Sequence, residues 1–515
     1  MKTKLLTLVI FFLLIVPVFA QSVDTAWVRR YNGPGDSLDG ARAIGVDVSG
    51  NVYVTGGSWG GGTDYDYTTI KYYANGDTAW VRRYNGPGDS ADSAHAIKVD
   101  NSSNVYVTGE SWGSGTYYDY ATIKYHLNGD TAWVRRYNGP GNSYDHAYAM
   151  VVDSSGNVYV TGGSYGSGTS VDYATIKYHP NGDTAWVRRY NGPTNCIDRA
   201  LAIAVDNSGN VYVTGESDGD ETSWVDYATI KYDPNGIELW VRRYNGPGNY
   251  NDYARSVAAD DSGNVYVTGS SDRSTWPDNF DYATIKYHPN GDTAWVRTYH
   301  GTYNGPENSA DVPHDIAVDD SGNVYVTGRS RGSGTNDEYA TIKYHSNGDT
   351  AWVRRYTTGS DDNWAYDLAL DGFDNVYVTG GSFTGGSCGY MTIKYYANGD
   401  TAWVRISGGS GGYAMAFAVS VDDFSNVYVT GESWGSGANL DYATIKYIQY
   451  HYGDTNKDGV VDVGDVVYLI NYLFKNGSAP NPPQAGDANC DGNADVGDVV
   501  YLINYLFKSG PAPSC

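Results

Sequence analysis

The chain has 515 residues, 65 of them Gly and 50 Tyr, and 59 acids against 34 bases give a formal charge of −25. That balance argues against a nucleic-acid binder, which needs clustered Lys and Arg. Sparse Leu, Ile and Met argue against a large helical protein, and a 41% hydrophobic share argues against disorder. A prior of about 150 residues per domain suggests three or four domains, while Gly and Tyr at this level suit short strands and turns.

Lys2 and Lys4 precede an apolar run from Leu5 to Val16, and Val18-Phe19-Ala20 supplies a cleavage signature. Residues 1–20 therefore read as a secretory signal peptide, with an uncleaved anchor as the alternative. The run is shorter than the ~18–20 apolar residues a span needs, and no later stretch could cross a membrane. The expected location is extracellular or at the cell surface.

Self-similarity then dominates. Asn-Val-Tyr-Val-Thr-Gly starts at Asn51, Asn104, Asn157, Asn210, Asn264, Asn323, Asn375 and Asn426. Thr-Ile-Lys-Tyr and Trp-Val-Arg recur as often, from Thr69 to Thr444 and from Trp27 to Trp403. Each unit holds four strand candidates, here A to D. In the first unit they are Ala41–Asp47, Asn51–Thr55, Tyr67–Tyr72 and Ala79–Tyr84. Strand B alternates Val52 and Val54 with Tyr53 and Thr55, the period of a strand. Val48-Ser49-Gly50 and Asn75-Gly76 suit tight hairpin turns.

Many four-stranded units of about fifty residues are the signature of a β-propeller. The expected class is mainly β, with residues 22–447 forming eight blades. The strand Ala26–Tyr31 precedes any strand A, and Ala443–Tyr447 has no strand D after it. The first strand is therefore expected to complete the last blade, which removes two open edges. A seven-bladed ring with a spare unit is the alternative. Ala43-Ile44-Gly45-Val46-Asp47, the hairpin from Ser49 to Gly56 and Tyr67–Tyr72 resemble the repeats of a secreted bacterial family named after a seven-bladed propeller. The resemblance implies fold and says little about activity.

The long B–C and D–A links share one face of such a ring, where binding is expected. The B–C loops contain Trp59, Trp112, Tyr165, Trp224, Trp276 and Trp434, and the D–A loops carry Tyr148, Tyr253, Trp364 and Tyr413. Such aromatics suit stacking on sugar rings or protein side chains. They equally suit covering loop backbones, as the repeated strand-D tryptophans suit a repeated structural need. Strand C supplies eight lysines and strand D fourteen arginines, which predicts a basic outer wall and acidic loops. Asp39, Asp92, Asp145, Asp198, Asp252 and Asp311 share one phase and are expected to bond the Asn-Gly-Pro turn before them rather than a cation.

Composition shifts at about Gly453, after a linker at 448–452. Asp-Val-Gly-Asp-Val-Val-Tyr-Leu-Ile-Asn-Tyr-Leu-Phe-Lys occurs at 462–475 and 495–508. Each copy closes an acidic loop: Asp454, Asn456, Asp458, Val460, Asp462 and Asp465 in the first, Asp487, Asn489, Asp491, Asn493, Asp495 and Asp498 in the second. The side-chain oxygens and the carbonyls of Val460 and Asn493 follow EF-hand spacing, with Gly at the sharp turn, so two Ca²⁺ ions are expected. Asp stands where Glu is usual at the last ligand, and one helix follows each loop. Val466, Leu469, Ile470 and Leu473, matched by Val499, Leu502, Ile503 and Leu506, form apolar stripes for a small paired core.

Residues 453–515 resemble a type I dockerin, which implies a cohesin-like partner or cell-surface scaffold. By that resemblance Val463, Gly464, Val496 and Gly497 fall at cohesin-contact positions, where cellulosomal dockerins commonly carry hydroxyl residues. Tyr468 and Tyr501 lie on another helix flank, suited to docking or to cover. Cys490 and Cys515 are expected to form a disulfide in an oxidising compartment, while Cys196 and Cys388 sit in loops three blades apart. Three functions follow. The first is a non-catalytic recognition protein whose loop face binds carbohydrate or protein. The second is a dockerin-borne glycoside hydrolase or lyase acting on polysaccharide. The third is a quinone-cofactor dehydrogenase. The second needs two positioned carboxylates, and no acid pair is seen to break the repeat. No motif supports the third.

Overall fold

The computed structural model describes residues 22–513 except 63, 220–223, 274–278, 302–309, 333–335, 360, 409–411, 436–438 and 458–459. The expected leader, Trp276, Asp458 and Cys515 lie outside the described residues. The chain divides into two compact units, one spanning Thr25–Tyr447 and the other built on residues from Ile448 onward.

The Val and Tyr alternation becomes eight four-stranded antiparallel sheets. Blade 1 runs A to D as Asp39–Val46, Val52–Trp59, Tyr65–Tyr72 and Thr78–Tyr84. Blades 2 to 7 repeat it in chain order. Blade 8 takes A to C from Ala414–Val421, Val427–Trp434 and Leu440–Tyr450, and its strand D is Ser22–Tyr31. The ring has eight blades, closed by the first strand.

Strand B runs further than its alternation suggests. Trp59, Trp112, Tyr165 and Trp434 close that strand instead of standing in B–C loops. Their register with strand C holds to the last residue, as in Trp59 opposite Tyr65. Tyr148, Tyr253 and Trp364 likewise belong to strand A, and Cys388 is buried in a strand C. Gly56 permits the close A–B approach: a Cβ there would lie 2.0 Å from the Gly40 carbonyl oxygen.

Buried tyrosines join the blades. Tyr67, Tyr120, Tyr173, Tyr227, Tyr282, Tyr339 and Tyr390 each donate a hydroxyl to a strand-C carbonyl of the next blade. Tyr442 donates to the Thr68 carbonyl at 3.3 Å and joins blade 8 to blade 1. Strand-D tryptophans reach the next C–D turn, as from Trp80 to the Leu127 carbonyl at 3.1 Å. The strand-C lysines are buried rather than set on an outer wall. Lys71 donates to the same Leu127 carbonyl at 3.4 Å, and its ammonium lies 5.1 Å from the Tyr53 ring centre. The repeated charge thus serves the interfaces.

In the second unit, α1 spans Val463–Lys475 and α2 spans Val496–Lys508, one helix after each acidic loop. Asp462 and Asp495 cap them, and Asp465 and Asp498 return a bond to the cap N–H. Val466, Leu469, Val499 and Leu502 form the buried core, with Ile470, Leu473, Ile503 and Leu506 against it.

Candidate functional site

Each strand A carries one extra residue opposite its strand B, a bulge that turns a side chain towards the channel. The bulged residues are Arg42, His95, Tyr148, Leu201, Arg255, His314, Tyr366 and Phe417, and all line an open cavity of about 480 Å³ on the channel. No two adjacent blades present the same residue there, in a frame that otherwise repeats. Arg42 lies over Phe417 at 4.5 Å, and Tyr366 meets His314 at 5.1 Å between ring centres. Burial, with Arg255 and Arg329 nearby, lowers the His314 pKa to about 3, so its imidazole is neutral.

One residue further along, six blades carry Ala or Ser, and blades 6 and 7 carry Asp315 and Asp367. Asp315 accepts from Ser256 Oγ at 2.9 Å and from the Leu368 N–H at 3.2 Å. Asp367 accepts from the Val419 N–H at 2.7 Å. Burial first, and then the charge of Asp315, raise the Asp367 pKa well above the carboxylate range. An acid pair does break the repeat here, contrary to the sequence reading. Its sign was a single Asp within each of two strand-A copies.

A second departure opens towards the loop side. Where strands A and B face each other, the pairs are Ser93 and Glu110, His146 and Gly163, Arg199 and Glu216, Tyr253 and Ser270, Val312 and Arg329, Trp364 and Gly381, and Met415 and Glu432 in blades 2 to 8. Blade 1 alone has Gly on both strands, Gly40 and Gly57. The missing side chains leave a cavity of about 360 Å³ bounded by Glu432 of blade 8 and Glu110 of blade 2, with Arg42, Ser93, Tyr65 and Tyr118 also lining it.

Its two carboxylates are tuned apart. Burial works to raise Glu110, but hydrogen bonds and charge from His146 and His95 outweigh it and lower the pKa to about 2. Burial raises Glu432, opposed by Arg42 at 3.9 Å and by the Tyr413 hydroxyl at 3.4 Å. One carboxylate is therefore firmly ionised and the other is held nearer its neutral form.

The aromatic candidates divide. Trp59 and Trp112 meet Tyr65 and Tyr118 edge-on at 5.2 and 5.0 Å. They also cover tight turns, since a Cβ on Gly35 or Gly88 would strike their Cδ1 atoms at 2.3 and 2.4 Å. Tyr165 is half-buried, and Trp224 and Trp434 are exposed. The repeated aspartates bond the preceding turn as expected: Asp39 accepts from the Gly33 N–H at 2.6 Å and the Trp59 N–H at 3.0 Å.

In the second unit the loop carboxylates bind their own backbone. Asp487 accepts from the Asp491 and Gly492 N–H groups at 3.0 and 2.9 Å, and Asp498 accepts from those of Asn489 and Asp495 at 3.0 and 2.8 Å. Asp465 repeats this with Asn456 and Asp462 at 3.1 and 2.9 Å.

A family model described as Beta-propeller repeat matches residues 79–115, 132–168, 186–221, 239–273 and 298–334. A second, described as Dockerin type I domain, matches residues 452–507. The chain thus carries beta-propeller repeats, five of them matched, and a C-terminal dockerin type I domain. A search of curated proteins gave no significant match. Among solved structures, Sqt1 of Chaetomium thermophilum is similar at 10% identity and a TM-score of 0.52, covering 84% of this chain and 99% of Sqt1. Sqt1 bound to the N-terminus of ribosomal protein L10 gives 9% and 0.52, with 83% and 100% covered. At that identity the likeness shows the propeller fold alone.

A dockerin type I domain implies a cohesin partner, and such domains typically bind calcium outside the cell. Among the described residues no three His, Cys, Asp or Glu side chains gather at a metal-sized site, and Asp458 lies outside them. The donor chemistry nonetheless fits a hard cation. Asp498 is fully buried, and burial first, with Asp487 and Asp491 adding to it, raises its pKa against the bonds from Asp495 and Asn489. That concentration of like charge, carried on oxygen donors, is what calcium neutralises.

On the dockerin surface Val463 and Val496 are about half exposed at the helix starts, beside Gly464 and Gly497. Tyr468 and Tyr501 instead tie down the chain beyond each helix, donating to the Ala479 and Ala512 carbonyls at 3.4 and 3.5 Å. Val467, Phe474, Val500 and Phe507 are exposed apolar residues that the sequence reading did not single out. Their spacing of four and seven residues along each helix was the available signal. Cys490 is disulfide-bonded, and Cys196 and Cys388 are free thiols. No helix among the described residues is long and apolar enough to cross a membrane.

Proposed function

We propose that the chain is an exported recognition protein. Its leader, residues 1–20, is removed, its propeller presents the loop-side face to carbohydrate or protein, and its dockerin holds it on a cohesin-bearing scaffold. The observation that carries this reading is the sorting of variation. Residues that repeat latch the blades together, while residues that differ gather around the channel and its loop-side mouth. Trp224 and Trp434 add exposed aromatic surface on that face.

Calcium orders the dockerin in this reading. Asp454, Asn456, Asp458, Asp462, Asp465 and the Val460 carbonyl hold one ion. Asp487, Asn489, Asp491, Asp495, Asp498 and the Asn493 carbonyl hold the other. The ions draw the acidic loops together, and the capped helices then present Val463-Gly464 and Val496-Gly497 to the cohesin.

The test uses the full chain. Immobilised cohesin modules should retain it in calcium and release it in chelator, and a glycan and protein array should show ligands for the propeller. A second reading, a glycoside hydrolase or lyase, is favoured by Glu110 and Glu432, whose pKa values shift in opposite directions beside one cavity. Release of new reducing ends from a bound polysaccharide, abolished by Glu432→Gln, would replace the recognition reading with that one.

A further inference from the structure

The cavity in blade 1 exists because two side chains are missing from one copy of a frame that supplies at least one of them in every other copy. We propose that it is a subsite for a neutral saccharide, in which Glu110 and Glu432 accept hydroxyl hydrogen bonds from opposite sides, Arg42 donates one, and Tyr65 and Tyr118 flank the ring. The proposal rests on the loop face being a recognition surface and names the ligand class of one place on it.

Size and shape come first. The volume of about 360 Å³ lies in the lower part of the range for small-molecule sites, about 300–1,000 Å³. A Cβ on Gly57 would have its nearest neighbour, in the Tyr65 ring, at 3.5 Å, so the wall there is open and not collapsed. At Gly40 a Cβ would approach Glu432 Oε2 to 3.0 Å, so any larger residue would enter the space in front of that carboxylate.

Charge then selects the ligand. Glu110 is already matched by His146 and by His95, whose Nε2 lies 3.3 Å from its Oε2. Glu432 faces Arg42 at 3.9 Å. With two imidazoles beside one carboxylate and a guanidinium facing the other, a further cation gains little. Oriented acceptors and a guanidinium donor around two aromatic walls suit a ligand that is polar but uncharged, with hydroxyls to bond and C–H faces to pack. A polyol ring has that chemistry.

The substitution that closes the site is one the molecule already tolerates. Gly57→Glu changes the blade-1 sequence to Thr-Gly-Glu-Ser-Trp, as at Thr108–Trp112 and Thr430–Trp434. The experiment titrates the full chain with cellohexaose, xylohexaose, mannohexaose and a galacturonate hexamer by calorimetry, with each variant's thermal midpoint measured as a control. At least one neutral hexamer should bind, Gly57→Glu should raise its Kd tenfold or more, and Glu110→Gln should weaken it. Glu216→Gln, at an ion pair with Arg199 in blade 4, should leave Kd within twofold. Binding that ignores Gly57→Glu would overturn the subsite and leave loop-face recognition standing. Preference for the galacturonate hexamer, or binding of none of the four, would overturn the saccharide assignment.

Discussion

Asp367 replaces the Ala that five blades carry at its place in the channel, and it sits beside a second departure, Asp315. Burial first, and then the Asp315 charge, hold the Asp367 carboxyl well above the usual carboxylate range. A raised carboxyl pKa contributes stability fully below the unfolded value, and that stability is lost as pH rises through the folded one. Asp367→Ala also removes the bond to the Val419 N–H, worth about 0.5–1.5 kcal/mol. The variant should therefore melt below the parent at pH 4 and gain on it steadily towards pH 8. Melting curves across that range check this, and a pH-independent difference would contradict it. The acids were present in the sequence but lost among 59. Alignment by copy reveals Asp315, Asp367 and the Glu residues facing Ser93 and Met415. That they border cavities follows from the strand-A bulge and from Gly40 lying opposite Gly57, which only the register shows.

At the scale of the element, the strands were legible because a half-buried ladder imposes period two. Their ends were not, because Gly-Glu-Ser-Trp reads as a loop until its pairing with strand C is known. The strand-D tryptophans are latches between blades, and their loss should add up. Trp80→Phe and Trp133→Phe each remove an indole bond to the next turn, to Leu127 and Pro180. Each should cost about 1 kcal/mol, and the pair about the sum if the two interfaces are independent. Denaturant midpoints of the single and double variants measure both. The dockerin loops were legible from ligand spacing, while the exposed Val467 and Phe474 were not distinguished from core residues until the helix faces were fixed. Calcium titration of the chelator-treated full chain should give two sites, and Asp498→Asn should leave one. A stoichiometry that stays at two would refute the placement of that ligand.

At the scale of the whole molecule, eight tyrosine bonds circle the ring, and the last, from Tyr442 to Thr68, joins its end to its beginning. The blade count followed from the repeats, and the closure from their phase. Deleting residues 22–31 should leave the blade-8 strand Leu440–Tyr450 with an open edge. The thermal midpoint should fall, and the chain should associate further in light scattering; a midpoint and scattering mass equal to the parent's would contradict closure by that strand. The same arrangement sets a timetable. The strand Ser22–Tyr31 is made before any blade, yet its sheet partner is Leu440–Tyr450, more than four hundred residues later. Trp27 meanwhile must find the Ala74 carbonyl on the far side of the seam. Blades 1 to 7 can assemble from local hairpins as they emerge, but the first strand made is the last to be paired. The ring is sealed only once its final blade has been synthesised, so a nascent chain that stalls within blade 8 carries a free strand at one end and an unmatched edge at the other.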